Sequence, residues 1–157
     1  MIFIVDPLCE VLVLGLFTVF FGIFLDITVG LNTLLEIVKK DPTLYFKGIM
    51  ANYINLLFLA PIYYVFSYNL LLNYNSNIFN LYTYLGLLLI QSIGYYYIHK
   101  LMHVNSYFKW MHSFHHEFVI TVPSSGNAVS IYEFQIAYVL PFLIGAILFN
   151  PSPLDFK

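Results

Sequence analysis

Arginine is absent from this chain of 157 residues, and charged residues of every kind make up only 9% of it. Soluble domains carry about a quarter. With 61% hydrophobic residues and a mean hydropathy of +0.82, this shortage of charge excludes an ordinary water-soluble domain and points to a membrane protein. The positive charge is six lysines, the formal net charge is -2, and that balance gives no general attraction to nucleic acid. Cysteine is nearly missing as well: Cys9 stands alone, has no partner in the chain for a disulfide, and reads as a small apolar residue. The N-terminus lacks the basic segment of a signal peptide, carrying Asp6 and Glu10 and an apolar run through Leu25. It is expected to be retained as a membrane segment.

What the chain has in place of charge is long apolar runs. A helix that crosses a bilayer needs about 20 mostly apolar residues. Leu8 to Val29, Met50 to Leu72, Ile78 to Ile98 and Ile131 to Phe149 qualify or nearly do. Glu10 and Asp26 lie near the ends of the first run, where charges reach the interface. The connection from Leu31 to Lys47 holds Lys39, Lys40 and Lys47, the one from Asn73 to Asn77 is uncharged, and the segment after Ile98 holds Lys100 and Lys109. By the positive-inside rule the first and third connections are cytosolic. No repeat or linker divides the chain, so residues 1–157 are read as one all-α, polytopic membrane domain of about four hydrophobic helices with a cytosolic, histidine-rich helical cap. Asn150-Pro151-Ser152-Pro153 is a helix-ending turn signal.

All five histidines fall between positions 99 and 116, as His99, His103, His112, His115 and His116. On a helix, His99 and His103 lie about 40° apart, and the other three fit within an arc of about 100°. An unbroken helix would rotate the second group about 180° from the first. Asn105-Ser106 offers a remedy, Asn as a helix end and Ser as the next N-cap, so a break is expected there that lets the two groups converge. Neutral imidazole is a good ligand for iron, zinc, copper and nickel. The five histidines are therefore candidate metal ligands, the alternative being interfacial side chains satisfied by water and backbone. Tyr96 and Tyr97 suit an aromatic belt, with lining of the histidine site as a second reading.

The pattern HxxxH at 99–103 followed by HxxHH at 112–116, just after an apolar helix, resembles the first two histidine boxes of the fatty acid hydroxylase and sterol desaturase superfamily. The C4-methylsterol oxidase branch is the nearest in flavour, through Tyr96, Lys100 in the usual place of arginine, and His115-His116-Glu117-Phe118. The likeness covers about 48–149. It implies a non-haem di-iron enzyme that oxidises an unactivated C–H bond of a sterol or acyl lipid with O2, at the cytosolic face of the endoplasmic reticulum or an equivalent membrane. Electrons would come from a separate reductase or cytochrome. The family also carries a third histidine box after a further hairpin, which does not occur before Lys157; a histidine where this chain has Ser130, with Glu133 keeping the acidic residue three positions on; and an acidic pair where this chain has Gln91-Ser92. The last change would remove a partner for a histidine N–H. These departures set a second expectation: a truncated or inactive metal-binding remnant or subunit, or one completed by a second polypeptide that supplies the missing box.

The lysine distribution yields a test of topology. Tags at Lys40 and Asn105 should both be accessible from the cytosol and a tag at Asn75 should not; protease protection that places Lys40 and Asn75 on the same side would contradict it.

Overall fold

The computed structural model describes residues 5–76 and 78–155, and these residues form helices and turns with no strand. Helix α1 spans Val5–Thr28 and α2 spans Leu31–Lys40. Helix α3 (Pro42–Ile54) continues through a π-helical turn, Asn55–Leu59, into α4 (Ala60–Leu70). Helix α5 (Leu81–Val104) is followed after one residue by α6 (Ser106–His116). A 3-10 turn at Pro123–Asn127 leads to α7 (Ile131–Glu133), which passes through a second π stretch, Phe134–Val139, into α8 (Leu140–Phe149).

Three of these rods are long and apolar enough to cross a membrane: Pro7–Thr28, Pro42–Leu70 and Ile131–Phe149. Their surfaces say the same. On α1 the side chains of Val13, Leu14, Phe17, Phe20, Phe21 and Phe24 are exposed, a contiguous apolar face that lipid tolerates and water does not. Helix α5 is equally long, but Gln91, Ser92 and its five tyrosines lower its hydropathy, and it falls outside the three. The Leu31–Lys47 connection, read from the sequence as a loop, is mostly helix. Leu31, Leu34, Leu35 and Val38 of α2 follow the i, i+3, i+4, i+7 spacing of one helical face.

Both π segments lie just before a proline, Pro61 and Pro141, each near the start of the helix that follows. Proline cannot donate the i to i-4 hydrogen bond, and a widened turn accommodates the lost bond. Helix α5 packs along α8 and also against α6, and α1 packs along α4. Small residues permit the close approach: a Cβ added to Gly94 would sit 2.6 Å from the Pro141 ring, and one on Gly15 would sit 2.6 Å from the Leu56 carbonyl oxygen.

Buried polar side chains fasten the segment between α6 and α7. Asp26 is completely buried rather than interfacial. Its Oδ1 accepts the Ser124 amide at 2.9 Å, and its Oδ2 accepts the Tyr45 hydroxyl at 2.9 Å. Asn52 donates to the Ser124 carbonyl at 2.8 Å and Asn55 to the Val129 carbonyl at 2.9 Å. Helices α1 and α3 thus hold 124–129 in place, and with it the start of α7. At the other end of the molecule Asn150 closes α8 in the left-handed conformation (φ 43°), and the Asn73 amide donates to the Pro151 carbonyl at 2.8 Å.

Asp26→Ala would leave the buried Ser124 amide without its acceptor, at a cost of about 1–3 kcal/mol, and would release the half-buried Tyr45 hydroxyl. We expect the variant to melt well below the parent in detergent, with protease cutting gained near Ser124; an unchanged melt and cutting pattern would show that Asp26 does not hold the loop.

Candidate metal centre

The break between the two histidine groups is at Asn105. Helix α5 ends at Val104, and Asn105 takes an extended conformation (φ -89°, ψ 117°) with its side-chain oxygen accepting the Tyr107 amide at 2.9 Å. Asn105 is therefore both the end of α5 and the N-cap of α6. Ser106, expected as the cap, is instead the first residue of α6. The turn folds α6 back on α5 and reverses the facing that a straight helix would impose.

His99, His103 and His112 come together. The Nε2 atoms of His99 and His103 are 3.2 Å apart, those of His103 and His112 are 3.2 Å apart, and one ligand atom from each of the three lies within 4.8 Å of the others. Nitrogens bound at about 2.0–2.1 Å to a tetrahedral ion lie about 3.3–3.4 Å from one another, so the spacing fits a single ion. The hydrogen-bond inventory agrees. A neutral imidazole has one N–H, and the His103 ring cannot donate to both neighbours through the same Nε2. An ion placed among the three could engage all of these nitrogens at once.

The other two histidines flank this group. The His116 ring lies 4.8 Å from His103 and 4.5 Å from His112 between centroids. His115 stacks on His112 at 5.4 Å, and its Nδ1 is buried without a partner. A second ion would draw on His115 and His116, whose rings stand 6.0 Å apart and which do not join the converged three.

Glu133, from the start of the next apolar helix, completes the arrangement. It is fully buried, and its Oε1 lies 2.7 Å from His112 Nδ1 and 3.7 Å from His99 Nδ1. Ser130, at the position where the resemblance has a histidine, caps α7 by accepting the Glu133 amide at 3.1 Å and donates to the Met111 carbonyl of α6. The hydroxyl therefore ties the helix that carries Glu133 to the one that carries His112. Gln91, expected to leave a histidine unsupported, faces elsewhere and donates to the Tyr138 carbonyl at 3.1 Å. Sequence reasoning left Glu133 out of the ligand region. Its signal was present all the same: it is the one charged residue in the apolar run from Ile131 to Phe149, and such residues mark functional sites.

Tyr96 and Tyr97 do not line the cluster. They are 56% and 64% exposed on the outer face of α5, with the Lys100 ammonium 5.8 Å over the Tyr96 ring. The lining aromatic is Tyr95, stacked on His99 at 5.2 Å and packed against Tyr138 at 4.9 Å. Tyr138 also borders an apolar cavity of about 200 Å³ together with Tyr63, Gln91, Phe134 and Phe142. The histidines themselves open on another cavity, about 300 Å³, lined by His103, Lys109, His112, Ser113, His116 and Glu117. Lys109 and Glu117 put one charge of each sign at the opening of this cavity.

No family model, curated protein or solved structure matches this chain. Its functional reading rests on the chemistry of the site.

Burial, reinforced by the surrounding imidazoles, pushes His112 down to about 3. Burial, His103, His115 and Lys109 likewise hold His116 below the usual histidine range. Both are neutral, and competent as ligands, at pH 7. For His112 the folded value lies below the unfolded 6.5, so the unfolded chain binds more protons between the two and acid favours unfolding. The metal-free protein should lose thermal stability as pH falls from about 6.5 towards 3, with no His112 contribution above 6.5. His112→Gln should flatten that slope; melts across this range that are equally steep in both proteins would refute the assignment.

Proposed function

We propose that this chain is the metal-binding membrane portion of a lipid oxidase of the fatty acid hydroxylase and sterol desaturase type. The observation that carries the reading is the convergence of His99, His103 and His112 with ligand spacing at the end of a long tyrosine-rich helix. In this reading α5 is a fourth span beside the three apolar rods, and α6 with its histidines forms a cap at the cytosolic face, the side assigned by Lys39, Lys40, Lys47, Lys100 and Lys109. The membrane would be the endoplasmic reticulum or an equivalent one.

The bound metal, iron in this reading, would supply oxygen activation to lipid C–H oxidation: a C–H bond becomes C–OH, the second oxygen atom leaves as water, and a separate reductase or cytochrome provides two electrons and two protons come from solvent. His99, His103 and His112 would hold the ion, and His115 and His116 stand where they would support a second. Tyr95 and Tyr138 wall the histidines from the apolar cavity, so a lipid chain lodged there meets the site edge-on through aromatic rings. Water is kept out on that side and admitted on the side of Lys109 and Glu117.

A second reading, a metal-binding subunit without turnover, is favoured by the same geometry, since three of the five imidazoles converge and a di-iron centre needs more ligands. A second polypeptide that supplies further histidines would complete the centre.

Purified chain should therefore bind about one equivalent of iron or zinc, with weak or no lipid oxidation when a reductase system is added, and His99→Ala should abolish the binding. Two irons per chain with sustained turnover would establish a complete di-iron enzyme; no bound metal in the intact chain would refute the metal-centre reading.

A further inference from the structure

Two buried polar atoms beside the histidine triad have no hydrogen-bond partner, His99 Nδ1 and Glu133 Oε2. They belong to groups that already face each other, since His99 Nδ1 is 3.7 Å from Glu133 Oε1. The carboxylate is meanwhile committed to His112 Nδ1 at 2.7 Å. A closing movement of less than about 1 Å would bring His99 into hydrogen-bond range of the carboxylate. Such a movement gives the buried His99 Nδ1 a partner at Oε1, a carboxylate oxygen with a second acceptor site beside the one that faces His112, and so removes the desolvation cost of leaving that ring nitrogen unmatched.

We infer that Glu133 is a shared positioning carboxylate that takes the Nδ1–H of both His99 and His112 and so turns both Nε2 lone pairs towards His103. This rests on the metal-centre reading and goes beyond it. In its ionised form Glu133 only accepts, so each ring nitrogen that faces it is then the protonated one, and the opposite nitrogen of each neutral ring is free to bind an ion. One residue from α7 thereby fixes the tautomer of a ligand on α5 and of a ligand on α6. Ser130 and the loop held by Asp26, Asn52 and Asn55 fix Glu133 in turn. The second interaction forms fully when His99 Nδ1 closes the remaining distance to Glu133 Oε1.

The test compares the parent with Glu133→Gln and Glu133→Met in detergent, with two readouts. The first is ¹⁵N NMR of the metal-free proteins, which reports which ring nitrogen of each histidine carries the proton. The parent should show the Nδ1–H form at His112 and a substantial share of it at His99. Glu133→Gln, whose amide keeps one accepting oxygen, should retain it at one of them, and Glu133→Met should lose it at both. His116, whose ring lies against His103, His112 and His115, is the internal control. The second is titration with Co²⁺, whose visible spectrum reports the coordination geometry. Affinity should fall about tenfold in Glu133→Gln and about 100-fold in Glu133→Met, the range found when a partner behind a ligand is removed. Unchanged tautomers at His99 and His112 in Glu133→Met, or parent-like Co²⁺ affinity, would overturn the inference. Where Glu133→Met does not fold, unchanged tautomers and affinity in Glu133→Gln overturn it instead. A parent that binds no Co²⁺ would sink the metal-centre reading, while the tautomer comparison still decides the role of Glu133.

Discussion

A buried polar atom in an apolar body must find a partner within the protein, and the shape of this molecule follows from how few partners there are. Asp26, Asn52 and Asn55 reach from α1, α3 and the adjoining π turn into the backbone of 124–129. That segment has little regular structure of its own to consume its amides and carbonyls. Pinned in this way, it delivers Ser130 and Glu133 to the face of α6, and Glu133 meets His112 at 2.7 Å. Asp26 and Asn52 share the hold on Ser124, and Asn55 and Ser130 carry it on to Val129 and Glu133.

The histidines depend on this chain of restraints more than on their own helices. Helical spacing alone puts His99 beside His103, but it turns His112 away. The extended conformation at Asn105 corrects the direction, and the packing of α6 against α5 and α7 sets the distance. Once the rings converge, the single Nε2 of His103 faces two neighbouring ring nitrogens, and burial discourages protonation of His112. Three imidazole nitrogens brought this close could hold a metal ion.

The surroundings of the site are divided. Tyr95 and Tyr138 close it towards an apolar cavity among the long rods, whereas Lys109 and Glu117 line the opening on the other cavity. The second π stretch begins at Phe134, directly after Glu133, and π turns of this kind are frequent at functional sites. The widened turn precedes Pro141, which packs against Gly94 of the histidine-bearing helix.

Composition and apolar run length were enough to identify the helical class and pointed to four membrane helices, of which three are long and apolar enough to cross a membrane, because a spanning segment must be continuously apolar whatever it packs against. The clustering of all the histidines and the need for a break near Asn105 were likewise local properties of helical periodicity. The helical state of α2 was legible as a stripe of apolar residues but was obscured by the lysines at its end. What the sequence left undecided lay in contacts between distant segments. Asp26 looks interfacial from its position near the end of a run, yet Tyr45 and the Ser124 amide bury it. Tyr95 differs from Tyr96 and Tyr97 only by rotation around one helix, and packing against Tyr138 selects it. Glu133 lies 21 positions from His112, and no spacing rule links them. Their meeting was decided by the tertiary structure, because a buried carboxylate is held wherever the fold brings it a donor.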